Sequence, residues 1–257
     1  MTAGDREEAR RRLARALLLG ERFVYRLPRS SPAAGVTPAS PDPPTVGGPT
    51  PAGDPVARRE NFDAEAWERL RREVMSCTRC ELHRTRTQGV FGSGNPRSRF
   101  MVVGEAPGFH EDKQGEAFVG AAGQLLTKIL GAIGFSRDEV FITNILKSRP
   151  PGNADPAPHQ VAACLPYLER QVELIRPAVI LTLGRHAART LLGLDGSMAS
   201  LRGRVFEYRG VPLVATYHPA ALLRNPGLKR PTWEDVQLAR RVHDERLAVM
   251  DGGERIG

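Results

Sequence analysis

Four consecutive apolar residues, Phe100-Met101-Val102-Val103, run directly into Gly104-Glu105-Ala106-Pro107-Gly108. An unbroken apolar run of that length fits a strand covered on both faces, as in a parallel sheet, and the glycines and proline then end it sharply. The pattern recurs in Val140-Phe141-Ile142-Thr143-Asn144 and in Val179-Ile180-Leu181-Thr182-Leu183-Gly184. Between the first two runs, Leu125, Leu126, Ile129, Leu130 and Ile133 fall at helical spacing, and long helices are expected from about 159 to 175 and from 231 to 250. Strands that alternate with helices imply a parallel sheet between helical layers. Val205–Tyr208 and Val211–Thr216, on either side of Arg209-Gly210, form an expected hairpin.

The 257 residues divide unevenly. Residues 1–60 are expected to be an N-terminal extension: a short arginine-rich helix, then a linker from Pro28 to Pro55 too rich in Pro, Gly, Ala, Ser and Thr to bury a core. Order is expected to resume at Asp63, a good N-cap with Phe62 and Trp67 at the two positions of a hydrophobic staple. The folded domain is expected over 61–250, with a flexible tail at 251–257. No apolar run approaches membrane length and no export signal is recognisable, so the expected setting is cytoplasmic, without a membrane partner, and the expected state is monomeric.

Net charge is +8, of which residues 61–257 carry +5, so the expected domain is basic in its own right and suits a polyanion. Three cysteines in a chain of this kind argue for metal or redox use rather than a disulfide framework. Glu105 follows the first strand, Asn144 ends the second and His218 follows the last. If those strands are parallel, the three side chains share the carboxyl edge of the sheet, where open α/β sheets bind ligands.

Several ordered blocks, spread over about residues 70 to 240, resemble one family. They are Gly104-Glu105-Ala106-Pro107-Gly108 with Glu111-Asp112-Lys113, Phe118-Val119-Gly120 with Ala122-Gly123-Gln124-Leu125-Leu126, Ile142-Thr143-Asn144 with Lys147 and Arg149-Pro150-Pro151, and Tyr217-His218-Pro219 through Asn225-Pro226. Together they are similar to the family 4, iron–sulfur uracil-DNA glycosylases. The resemblance implies a three-layer α/β/α sandwich with a central, mainly parallel four-stranded sheet. It also implies a monofunctional DNA-repair enzyme that flips deoxyuridine out of single- or double-stranded DNA, hydrolyses its N-glycosidic bond and leaves an abasic site.

By the same resemblance Gly104, Phe118, Asn144 and His218 bind uracil. Phe118 stacks on the ring, Asn144 reads N3–H and O4, His218 donates to O2, and Leu222 fills the vacated place in the base stack. Better-known branches carry an aspartate where this chain has Ala106. Glu105 is therefore the first candidate to position water and stabilise the cationic sugar, with Glu111 and Asp112 in reserve. Cys77, Cys80 and Cys164 match three ligands of the family's 4Fe–4S cluster, and the fourth position falls on Ser148, a poorer ligand. A zinc site recruiting His83, or no metal, stays open as an alternative. A second function also stays open: a DNA-binding protein that keeps the fold without catalysis.

Overall fold

The computed structural model describes residues 62–252 of the chain. The expected helix and linker of residues 1–60 lie outside them; of the expected tail, 251–257, residues 251 and 252 end the last helix and the rest lie outside. The strands are β1 (Ser93–Gly94), β2 (Phe100–Gly104), β3 (Phe141–Asn144), β4 (Val179–Leu183), β5 (Val205–Tyr208) and β6 (Val211–Thr216). They form one sheet in the order β1-β3-β2-β4-β6-β5. The inner four, β3, β2, β4 and β6, are parallel, as expected. An antiparallel strand on each edge, β1 against β3 and β5 against β6, widens the sheet to six. β1 has only two residues, Ser and Gly, and so carries no apolar signature.

The helices are α1 (Ala64–Met75), α2 (Phe109–Gln114), α3 (Ala121–Ala132), α4 (Pro158–Ile175), α5 (Arg185–Leu192), α6 (Met198–Leu201), α7 (Pro219–Arg224) and α8 (Lys229–Gly252). Successive strand residues point to opposite faces, which explains why strands covered on both faces carry apolar residues at neighbouring positions. On one face Phe100, Val102, Ile142, Leu181 and Val214 pack against Leu126 and Leu130 of α3 and Val236, Ala239 and Val242 of α8. On the other, Met101, Val103, Phe141, Ile180 and Leu213 pack against Trp67, Leu70 and Val74 of α1 and Leu168 and Val172 of α4. The result is the three-layer α/β/α sandwich.

Local chemistry sets the helix ends. The Asp63 carboxylate accepts the Ala66 amide at 2.8 Å, and the Phe62 and Trp67 rings lie 5.7 Å apart, closing the staple. The turn between β5 and β6 puts Arg209 at φ 50° and Gly210 at φ 80°, the paired left-handed conformation of a two-residue hairpin. Among the described residues no helix is long and apolar enough to cross a membrane. All four parallel strands end on the same edge, where Gly104 pairs with Asn144 and the Gly184 amide donates to the Thr216 carbonyl at 2.8 Å.

Candidate active site

At that edge Gly104 is a glycine because nothing larger fits. A Cβ there would meet the Phe118 ring, with Cζ at 2.5 Å, and the side-chain oxygen of Asn144. Asn144 is 2% exposed, and its Oδ1 has no hydrogen-bond partner among the described residues. A buried carbonyl oxygen left unpaired costs about 1–3 kcal/mol, so its retention marks a place where a ligand donor can arrive. Its backbone is fixed from below: the buried Lys147 ammonium donates to the Asn144 carbonyl at 2.8 Å, to Thr143 Oγ1 at 2.7 Å and to Gln171 Oε1 at 2.7 Å. Burial pulls the Lys147 pKa down to about 7, against the pull of Cys164.

Phe118 holds a left-handed backbone, φ 58°, a conformation that costs a non-glycine residue on the order of 1–3 kcal/mol. Arg137 offsets that strain. Its guanidinium donates to the Phe118 carbonyl at 3.0 Å and the Ala117 carbonyl at 2.7 Å. Gly123 lets α3 begin against the Phe118 peptide, since a Cβ there would collide with it. The ring, 5% exposed, faces the His218 imidazole at a centroid distance of 5.5 Å and 34° between planes.

His218 caps α7. Its Nδ1 accepts the Ala220 amide at 3.2 Å, so in the neutral ring the proton sits on Nε2 and is available to donate. Burial, helped by Arg224 and opposed by Glu111, pushes its pKa down to about 4, so the ring is neutral at physiological pH. Gly184, at φ 92°, gives it room: a Cβ there would lie 3.1 Å from that of His218.

The three acids of the first motif part company. Glu105 is half-buried, and burial raises its pKa, with Asp155 adding to the rise and His186 and Arg185 opposing it. Ligand atoms of Glu105, Asp155 and His186 lie within 4.8 Å of one another, and His186 Nε2 is 3.6 Å from the Asp155 carboxylate. Glu111 is committed to backbone: one oxygen accepts the Val119 and Gly120 amides, both at 2.9 Å, and the other accepts the Gly108 amide at 3.1 Å. It thereby starts α2. Asp112 is 2% exposed and accepts the Thr87 amide at 2.9 Å. Neither of these two carboxylates is open to the pocket in the way a water-activating reserve requires.

Leu222 is 2% exposed, folded into α7, whereas its neighbour Leu223 is 52% exposed. A side chain that enters a base stack has to project, so the burial of Leu222 works against the insertion role expected of it. Arg137, Asp155 and His186 were missed. They stand outside the matched blocks, and only the folded chain brings them to the site.

The cysteines gather behind this edge. Cys164 is buried with Leu82 and Leu146, Cys80 packs on the same cluster, and Cys77 lies beside Tyr167. Burial raises the Cys164 thiol, opposed by the Lys147 amide and further raised by Cys80 and Cys77, so the three sulfurs sense one another. A tetrahedral zinc with bonds of about 2.3 Å would draw its sulfurs to roughly 3.8 Å apart. Among the described residues Glu105, Asp155 and His186 are the one such group within 4.8 Å, so the cysteines, with or without His83, are set wider than zinc requires. Three thiols are a donor set that soft metals and iron–sulfur groups take. The fourth position is less apt, because Ser148 Oγ already accepts the Arg86 guanidinium at 2.9 Å.

An α/β/α sheet whose carboxyl edge presents an unpaired amide oxygen, an aromatic face and an imidazole N–H defines a protein that receives a planar, polar heterocycle. Residues 91–239 match the family model described as the Uracil DNA glycosylase superfamily, and the chain belongs to that family. Among its relatives, the Type-4 uracil-DNA glycosylase of Archaeoglobus fulgidus is 47% identical over 64% of this chain and 87% of its own. That of Sulfurisphaera tokodaii is 44% identical over 69% and 85%, and that of Thermotoga maritima 42% over 68% and 94%.

Proposed function

We propose that the chain excises uracil from DNA by hydrolysing the N-glycosidic bond of a flipped deoxyuridine. The observation that carries this is the buried, unpartnered Asn144 Oδ1 beneath Gly104 and beside the Phe118 ring. Uracil supplies what that oxygen lacks, a donor at N3, while the Asn144 amide nitrogen donates to O4. Cytosine puts an amine donor where uracil has O4 and has no proton on N3, so its presence leaves both amide atoms facing like partners. A base must leave the duplex to reach this site, and Phe118 then replaces the lost stacking.

His218 donates from Nε2 to uracil O2, where negative charge gathers as the bond from C1′ to N1 breaks. Its depressed pKa keeps the ring a neutral donor throughout. Glu105 faces the opposite charge: its carboxylate stabilises the cationic sugar and orients the water whose oxygen bonds C1′. The water's proton passes to Glu105, and the bonding pair leaves with uracil. Glu111 acts as a brace between Gly108 and Gly120. Leu223, rather than Leu222, is the apolar side chain available to enter the vacated stack.

Cys77, Cys80 and Cys164 are the residues that would hold a 4Fe–4S cluster, with Ser148 at the fourth ligand position. Such a group would tie the end of α1 to α4 and to the loop after β3, a structural service. The test of the function is incubation with single-stranded and duplex DNA carrying one uracil, followed by alkali. Uracil-dependent scission is expected. Binding without scission would leave a DNA-binding protein of the same fold.

A further inference from the structure

Beside the candidate site stands an apolar residue that the interior does not use. Phe109 opens α2 directly after the Gly104–Gly108 loop and is 49% exposed. Its helix is locked to the pocket: Glu111 holds the Val119 and Gly120 amides, and the His110 ring lies where a Cβ on Gly120 would be 3.4 Å from it. Phe109 is therefore on the rim, next to the segment that carries Phe118.

The ring stands among cations. The Arg149 guanidinium carbon is 5.1 Å from its centroid and Lys113 Nζ 6.0 Å, with the His110 ring edge-on at 5.4 Å. Arg149 is itself held, donating from Nε to Asn153 Oδ1 at 2.7 Å. An exposed aromatic flanked by two positive side chains matches the physics of single-strand recognition, in which a base stacks on the ring while neighbouring cations meet the phosphates.

We infer that Phe109, with Arg149 and Lys113, forms a second stacking platform that holds an unpaired base of the substrate strand beside the flipped deoxyuridine. The charge around the ring selects a polyanion over an apolar protein surface, and its continuity with the Phe118 segment selects the strand that enters the pocket. The inference rests on the uracil-DNA reading and deepens it, because it makes single-stranded or locally opened DNA the form that engages the whole surface.

The experiment compares wild type, Phe109→Ala, Phe109→Trp and Arg149→Ala on single-stranded DNA carrying one uracil, with binding and single-turnover cleavage measured over a range of salt. Phe109→Ala should weaken binding by about 5- to 100-fold, the span of base-on-aromatic stacking, and leave the saturated rate nearly unchanged. Phe109→Trp should restore affinity. The slope of binding against salt should be unaltered in Phe109→Ala but fall by about one phosphate's worth in Arg149→Ala. A 2-aminopurine placed next to the uracil should be quenched by wild type and not by Phe109→Ala.

Unchanged binding in Phe109→Ala overturns the inference, as does a loss that Phe109→Trp fails to restore. Absence of cleavage by wild type would defeat the uracil reading instead, so the two failures are distinguishable.

Discussion

Replacing His218 by glutamine tests the claim that the fold keeps this imidazole neutral. In the folded chain its pKa is about 4, against 6.5 for the free side chain, and burial is the main cause. Because the folded value is the lower one, the unfolded chain binds the proton first. The associated stability is fully present above pH 6.5 and is lost as the pH falls toward 4. Complete loss corresponds to about 3 kcal/mol, and at pH 5, where the folded ring is still mostly neutral, to about 2 kcal/mol. The assay is urea unfolding of wild type and His218→Gln at about pH 7 and pH 5. Other titrating groups act in both proteins, so the difference between the two pH effects isolates His218. Wild type should lose about 2 kcal/mol more than the variant on that descent. Equal losses would refute the half-buried, neutral ring, and with it the assignment of the Nε2 proton as a standing donor. At neutral pH the variant should cleave uracil DNA about 100-fold or more slowly, since the Nε2 donor held by the α7 cap is replaced by an amide that this cap does not orient.

Three other outcomes follow from the geometry. Gly104→Ala puts a methyl group against Phe118 and Asn144 and should lower uracil cleavage by about 100-fold or more with nonspecific DNA binding intact; full activity would mean the base does not lie there. Arg137→Met removes both donors to the Phe118 loop and should lower stability by about 2 kcal/mol and the single-turnover rate together. Arg137→Lys should recover part of the rate, and a variant with wild-type rate would detach Phe118's backbone from catalysis. Ser148→Cys should raise iron and sulfide per chain in anaerobic preparations and slow bleaching in air, with the cleavage step little changed; an iron-free wild type would remove the cluster.

The parallel core was legible because four strands spell it out residue by residue, and the face-to-face alternation of Phe100 and Met101 is invisible only because both faces are covered. The placing of Glu105, Asn144 and His218 on one edge followed from strand ends, whereas Gly104 and Phe118 entered only through the family resemblance. What the sequence could not supply were contacts whose partner is backbone. Glu111 looks like a spare catalytic acid until its oxygens are seen on three amides. Leu222 and Leu223 are equally apolar, and only the turn of α7 decides which is buried. Asp155 and His186 come from a loop and a helix start that nothing local links to Glu105. β1 is held by its register with β3, and two residues leave no periodicity to detect.

A common feature joins Glu111, Arg137 and Lys147. Each is an ionisable side chain turned inward, and each takes main-chain groups among its partners: amides for the acid, carbonyls for the bases. Charges are expensive to bury, and a hydrophobic replacement could hold a loop more cheaply if stability were the only demand. A hydrophobic contact, however, fixes distance poorly and direction not at all, while charge-assisted hydrogen bonds fix both. The three sit where the pocket departs from regular structure: Glu111 at the Phe118–Gly120 turn, Arg137 behind the left-handed Phe118, and Lys147 under Asn144. On the proposed reading, the walls that would meet the base are thus loops held in place by polar side chains that do not line it. For a reaction in which a misplacement of about 1 Å costs on the order of 100-fold, that rigidity belongs to the catalytic apparatus. Substitutions at these braces should therefore lower rate and stability together, whereas Asn144→Ala, which takes away a group the fold leaves unpaired, should lower the rate alone.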